Sequence, residues 1–209
     1  MKGEIIMKTK LVLTSIGAVL LSLAGANATE YRPFVGLTMG VAGLGYSSEI
    51  DDIKTIDFPS DFFAFGIEGG ARFGGYNDIY NGGVSLNIDM TDTQKIRNKF
   101  VDTTIAKINT LAMSATYDNY LRLSGDKTSR IDLVLGAGLG AMNYHIDYKD
   151  AATDDTTMYS TMLAFKAGLD FELTKNITLS AQTRLFVPTR SHYAVDTQYI
   201  AGGAVKYVF

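Results

Sequence analysis

The chain has 209 residues, a net charge of −3, no Cys, no Trp, 21 Gly, 12 Tyr and 3 Pro. That length suits one domain with a buried core, and the lack of Cys excludes a disulfide framework, a thiolate nucleophile and Cys-ligated zinc or iron–sulfur centres. Mildly acidic, scattered charge offers no basic face, so nucleic acid is not expected as a partner.

The N-terminal segment reads as an export signal. Lys8 and Lys10 precede an apolar run over 11–24, and Ala26-Asn27-Ala28 follows. A basic start, a short apolar core and an A-x-A site make a secretory signal peptide, and with no Cys the lipoprotein form is excluded. Met7 opens a more typical start, Met-Lys-Thr-Lys, than Met1 does. Cleavage is expected between Ala28 and Thr29, which assigns residues 1–28 to the signal and 29–209 to one folded domain. N-terminal sequencing of the exported protein should begin at Thr29; a retained Met1 or Met7 would contradict this.

After Ala28 the dominant period is two, the period of a strand with two unlike faces. From Tyr31 the odd positions read Tyr31, Pro33, Val35, Leu37, Met39, Val41, against mostly small or polar even positions. Phe63, Phe65 and Ile67 alternate with Ala64, Gly66 and Glu68. Val84, Leu86 and Ile88 alternate with Ser85, Asn87 and Asp89. A weaker segment carries Leu111, Met113, Ala115 and Tyr117. Then come Ile131 to Ala141, Leu163 to Leu173, Ile177 to Val187 and Tyr199 to Phe209. These are eight segments, and none of their apolar-face positions carries a charge.

A lipid-facing surface requires that, because a cation at the bilayer midplane costs about 2–4 kcal/mol. The opposite faces carry the charge: Glu68, Arg72, Lys166, Asp170, Glu172 and Arg184 form the informative set. In an eight-stranded barrel the interior is just wide enough for side chains to fill it, so such charges must pair. A salt-bridged plug is the expected arrangement, and a gated ion path is its rival. Spacers alternate between long, near 47–61, 91–107, 145–157 and 189–196, and short, near 74–78, 124–130 and 174–176. Long outer loops alternating with short periplasmic turns is the outer-membrane barrel arrangement. Tyr31, Tyr80, Tyr117, Tyr199 and Tyr207 stand where an aromatic girdle belongs. The expected fold is therefore all-β, an eight-stranded antiparallel transmembrane up-and-down β-barrel.

The chain ends Val205-Lys206-Tyr207-Val208-Phe209, and Gly136-Ala137-Gly138-Leu139-Gly140-Ala141 lies inside a strand. The Val205, Tyr207, Phe209 pattern resembles the C-terminal assembly signal of bacterial outer-membrane barrels. The whole of 29–209 is similar to the small eight-stranded superfamily of OmpA-type, OmpX-type, opacity and surface-antigen barrel domains. The resemblance implies residence in the outer membrane among its lipids, with insertion by the barrel assembly machinery after delivery by periplasmic chaperones. The resemblance is specific for architecture and nearly silent on activity; the expected role is a non-enzymatic surface, adhesion or envelope-integrity protein with a packed polar lumen, whose four outer loops meet a ligand that the sequence does not name. A small porin-like channel and a lipid-modifying enzyme are the alternatives.

Other motifs carry less. Gly136-x-Gly138-x-x-Ala141 matches a dinucleotide fingerprint, which needs a helix after the turn, yet Met142-Asn143-Tyr144 continues the strand. His145 and His192 fall at outer strand ends near Asp147 and Asp196 without a nucleophile elbow, so both are expected to be solvated. The acidic loops hold Glu49, Asp51, Asp52, Asp57, Asp147, Asp150, Asp154 and Asp155 with no calcium-loop spacing. No catalytic residue, metal site or cofactor is expected.

Overall fold

The computed structural model describes residues 30–46, 56–57, 59–75, 78–125, 130–149, 156–189 and 195–209. The cleavage site at Ala28 and Thr29, His192, and the loop acids Glu49, Asp51, Asp52, Asp150, Asp154 and Asp155 lie outside the described residues.

The chain forms ten strands: β1 (Tyr31–Tyr46), β2 (Ile56–Asp57), β3 (Asp61–Phe73), β4 (Tyr80–Thr91), β5 (Gln94–Asn98), β6 (Thr103–Gly125), β7 (Arg130–Tyr148), β8 (Thr156–Glu172), β9 (Ile177–Pro188) and β10 (Val195–Val208). Eight of them close a ring in the order β6-β4-β3-β1-β10-β9-β8-β7, and β7 pairs back onto β6. Every pairing around the ring is antiparallel. A closed ring leaves no unpaired edge within a bilayer, where an unmet backbone N–H or C=O costs several kcal/mol. At the turn end the Phe209 amide donates to the Pro33 carbonyl at 2.9 Å and the Val208 amide donates to Asn176 at 2.8 Å.

The apolar faces point outward. Val35, Leu37, Met39 and Val41 on β1, Phe63, Phe65 and Ile67 on β3, and Leu135 and Leu139 on β7 are all exposed. Their neighbours Thr38, Glu68, Asp132 and Lys166 are buried in the interior. Tyr31, Tyr80, Tyr199 and Tyr207 lie exposed on the outer wall, and the rings of Tyr207 and Phe209 meet edge to face at 5.1 Å.

At Gly138 the backbone of the neighbouring strand β6 lies so close that glycine is a steric requirement. A Cβ on Gly138 would stand 1.9 Å from the Ala115 carbonyl oxygen and 2.7 Å from the Thr116 Cα. Backbone cannot step aside without parting β6 from β7. Gly138→Leu should therefore cost about 1–3 kcal/mol by overpacking, read as a lower urea midpoint for folding into vesicles. The same geometry disposes of the dinucleotide fingerprint, because residues 136–141 lie wholly within β7 with no helix after them.

Two of the expected long loops are in large part strand. Residues 94–98 form β5, β6 already begins at Thr103, β7 runs on to Tyr148 and β8 starts at Thr156. β6 has 23 residues, where about 9–11 span a bilayer. The long strands therefore project well beyond the hydrocarbon. In that extension the outward positions Lys95, Arg97 and Lys107 are exposed, while the inward ones Ile96, Ala106 and Ile108 are buried. Water bathes the outer face there, so polar residues belong outside and apolar residues inside, the reverse of the membrane segment. β5 takes over the edge of β6 where β4 leaves it, and β2 pairs with β5.

Candidate functional site: the barrel interior

Each strand sends every second side chain inward, and the charges among them assemble in layers. All six residues singled out for the interior, Glu68, Arg72, Lys166, Asp170, Glu172 and Arg184, are buried there. At the turn end Arg72 bridges two strands, donating to Glu172 at 2.5 Å and also to Asp132. Arg130 Nε donates to the other Asp132 oxygen at 2.6 Å, and Arg32 reaches Glu172 at 3.4 Å. The Arg72 guanidinium lies 3.9 Å from the centre of the Tyr120 ring, so its face is covered as well as its edge.

The middle layer is built on Lys166. Its ammonium donates to Glu68 at 2.7 Å, to Asp118 at 2.6 Å and to the Ser85 hydroxyl at 3.1 Å, using all three of its protons. Ser85 and Thr116 also donate to Asp118, each at 2.8 Å. Lys206 holds Asp170 at 3.2 Å and stands 3.6 Å from Glu68, and the Ser180 hydroxyl donates to Asp170 at 2.6 Å. Higher up, Arg184 donates to both oxygens of Asp89, at 2.5 and 2.7 Å.

Glu68 and Arg72, four apart on one face of β3, do not pair with each other; each bonds across the lumen to other strands. Six cations, Arg32, Arg72, Arg130, Lys166, Arg184 and Lys206, face six anions, Glu68, Asp89, Asp118, Asp132, Asp170 and Glu172. Signs are matched and every charged head named here has a partner. Asp118 and Arg130 complete the network, and sequence reasoning does not single them out. The parity of β6 places Asp118 inward, between the outward Tyr117 and Asn119. Arg130 falls in a stretch that reads as a short turn, whereas it is the first residue of β7.

The interior is not polar throughout, and this corrects the expected polar lumen. Above the charged layers a cluster of buried apolar side chains fills the loop end, including Leu44, Phe62, Ile96, Ile108, Met142 and Phe186 from six different strands. Where the two regions meet, a cavity of about 10 Å³ is lined by Thr38, Asp89, Gln182, Arg184 and Ile200, room for about one water. A salt-bridged lower part and an apolar cap close the barrel twice over.

The remaining expected residues stand apart from the interior. His145 lies on the outer face of β7, its Nδ1 3.1 Å from the Thr157 hydroxyl. Among the described residues no group of three or more His, Asp or Glu is placed to hold a metal ion. Val205, Tyr207 and Phe209 are exposed on the outer wall at the turn end. Asn176, in the turn between β8 and β9, uses its side-chain amide to donate to the Val208 carbonyl at 2.7 Å.

Residues 16–209 match the family model described as the outer membrane protein beta-barrel domain. Comparison with curated protein sequences returns no match. Among solved structures the fold is similar to Ail, the attachment invasion locus protein of Yersinia pestis, in complex with the heparin analogue sucrose octasulfate. The TM-score is 0.51 at 15% identity, covering 87% of this chain and 100% of that one. The outer membrane protein OprG from Pseudomonas aeruginosa aligns with a TM-score of 0.52 at 11% identity, covering 84% of this chain and 95% of that one. A major outer membrane protein from Thermus thermophilus aligns with a TM-score of 0.51 at 9% identity, covering 86% and 99% respectively.

Proposed function

The chain belongs to the outer membrane protein beta-barrel domain family, and from that premise we propose that it is a non-enzymatic surface protein, a closed outer-membrane anchor that displays its loop end for attachment. The turn end faces the periplasm in this reading, and the strand extensions of β5–β8 face outward. Outer-membrane lipid surrounds the belt of exposed apolar residues, and the barrel assembly machinery with its chaperones installs it, with Val205, Tyr207 and Phe209 as the outward-facing assembly signal.

The observation that carries the reading is the sealed interior. A channel needs a continuous wet path, usually with one sign of charge in excess along it. Here the charges are matched and paired, and Phe62, Phe186 and Met142 cap them. Function is then left to what stands above the membrane, and long ordered strands stand there. Attachment is the property that the Yersinia pestis neighbour is named for, and it belongs to that protein; the shared barrel architecture supports an attachment role in this chain.

Surface expression in a non-adherent Gram-negative host tests this. Cells should gain adherence, and replacing residues 92–110 by a short turn should abolish it while the barrel still folds. Adherence that survives the replacement of every outer loop would defeat the reading.

A further inference from the structure

The hairpin joining β5 to β6 has a built tip. Its turn, residues 99–102, exposes Phe100 at 78% and Val101 at 65%. These are among the most exposed apolar side chains in the described residues, and they lie far from the lipid-facing belt. Three features hold them there. The Asn98 side-chain oxygen accepts from the Phe100 amide at 2.9 Å. Asp102 adopts a left-handed φ of 45°, and Arg97 bridges to it at 3.1 Å. A register shift at Ile96/Arg97 re-aims the end of the hairpin. Apolar side chains exposed at a hairpin tip, away from the buried core, gain nothing for the fold.

Cations flank the tip. Lys95, Lys99 and Lys107 are exposed, and Lys95 stands directly opposite Lys107 in the β5–β6 register. Like charges so placed weaken a sheet. Among the described residues no carboxylate comes within ion-pair distance of these three lysines; the hairpin's own Asp102 is taken by Arg97. Residues 94–108 carry Lys95, Arg97, Lys99 and Lys107 against Asp102 alone, while on the neighbouring strands Asp57 stands opposite Arg97 and Asp147 opposite Lys107.

We propose that the β5–β6 hairpin docks onto an anionic lipid bilayer other than the one the barrel spans. Phe100 and Val101 enter the boundary between headgroups and acyl chains, and Lys95 and Lys99, with no acid opposite them in the strand registers, meet the lipid anions. An apolar wedge set among lysines is the chemistry of interfacial insertion. A soluble polyanion would engage the lysines but leave the wedge unused. The tip lies about 30 Å along the strand from Leu111, an outward apolar residue of the membrane belt, and so points away from the home bilayer. The inference rests on the display reading of the loop end and names its partner.

The test uses the full-length barrel in neutral phosphatidylcholine nanodiscs, mixed with larger vesicles that are then sedimented. Vesicles containing phosphatidylserine should carry the protein down, and vesicles of phosphatidylcholine alone should not. Neutralising Lys95 and Lys99 as K95Q/K99Q should weaken binding about fivefold per cation. F100S/V101S should weaken it by about tenfold or more. Both variants lie outside the barrel wall, and a wild-type refolding yield confirms that they fold. Equal binding to both vesicle types would overturn the proposal. So would F100S/V101S binding as tightly as wild type, which would mark the lysines as a polyanion site without insertion. If vesicles do not bind while loop-dependent adherence persists, the lipid partner is wrong and the display reading stands; if adherence does not depend on the loops, the display reading itself falls.

Discussion

Lys166→Met is expected to destabilise the folded barrel by about 3–5 kcal/mol, the cost of leaving a buried charge without its partner. Lys166 is enclosed, and the two carboxylates it joins, Glu68 and Asp118, have no access to solvent. Methionine fills most of the space but supplies no proton. Glu68 retains Lys206 at 3.6 Å, and Asp118 retains only the hydroxyls of Ser85 and Thr116 and the more distant Tyr120. The defect is electrostatic, so neutralising the stranded acids should relieve it. K166M/E68Q/D118N should recover more than half of the lost stability in urea titrations of folding into vesicles. A triple variant no more stable than K166M would mean that the loss came from packing instead.

Leu135→Arg is expected to cost about 2–4 kcal/mol and to lower insertion yield sharply, because Leu135 is exposed on the outer wall, inside the apolar run of β7 from Ile131 to Ala141 where the hydrocarbon lies. Gln182→Asn makes the contrast. Gln182 faces the lumen, and its amide donates to Glu68 only at 3.5 Å, so shortening it removes a marginal contact. Equal folding yields for the two variants in vesicles would reverse the assignment of inside and outside.

The membrane part of this fold is readable from sequence because the solvent on its two sides differs so strongly. The absence of charge at Val35, Leu37, Leu135 and Leu139, against Glu68, Asp132 and Lys166 on the other parity, is the mark of hydrocarbon outside and paired charge within. The same rule hides the strand extensions. Above the membrane, Lys95, Lys107 and His145 still point outward and Ile96, Ile108 and Ile146 still point inward, so the parity is continuous while its polarity inverts. A search for apolar residues on the lipid-facing parity stops where the lipid stops, and 91–107 and 145–157 then read as loops. The apolar cap escapes sequence reading for that reason, since Ile96, Ile108 and Ile146 belong to those stretches or adjoin them.

The interior charges are legible as a set but their partners are not. Alternation places Glu68 and Arg72 on one inner face, and nothing local says that Arg72 reaches Asp132 and Glu172 across the lumen. Those pairs depend on ring closure and register, which are set by β6 meeting β7 and β1 meeting β10. The hairpin tip is beyond sequence reading too, because the exposure of Phe100 follows from a bulge and from one left-handed Asp102.

The most direct test of a closed anchor is electrical. Purified protein reconstituted into a planar bilayer should pass almost no current, because matched charges and an apolar cap fill a ring of eight strands, while wide aqueous pores take about 16–18. The expected record is a flat baseline with no large stable steps across applied voltage. Reproducible nanosiemens-scale openings in the wild-type protein would contradict the account, since they require a wet path through the Arg72, Lys166 and Arg184 layers and through the cap above them.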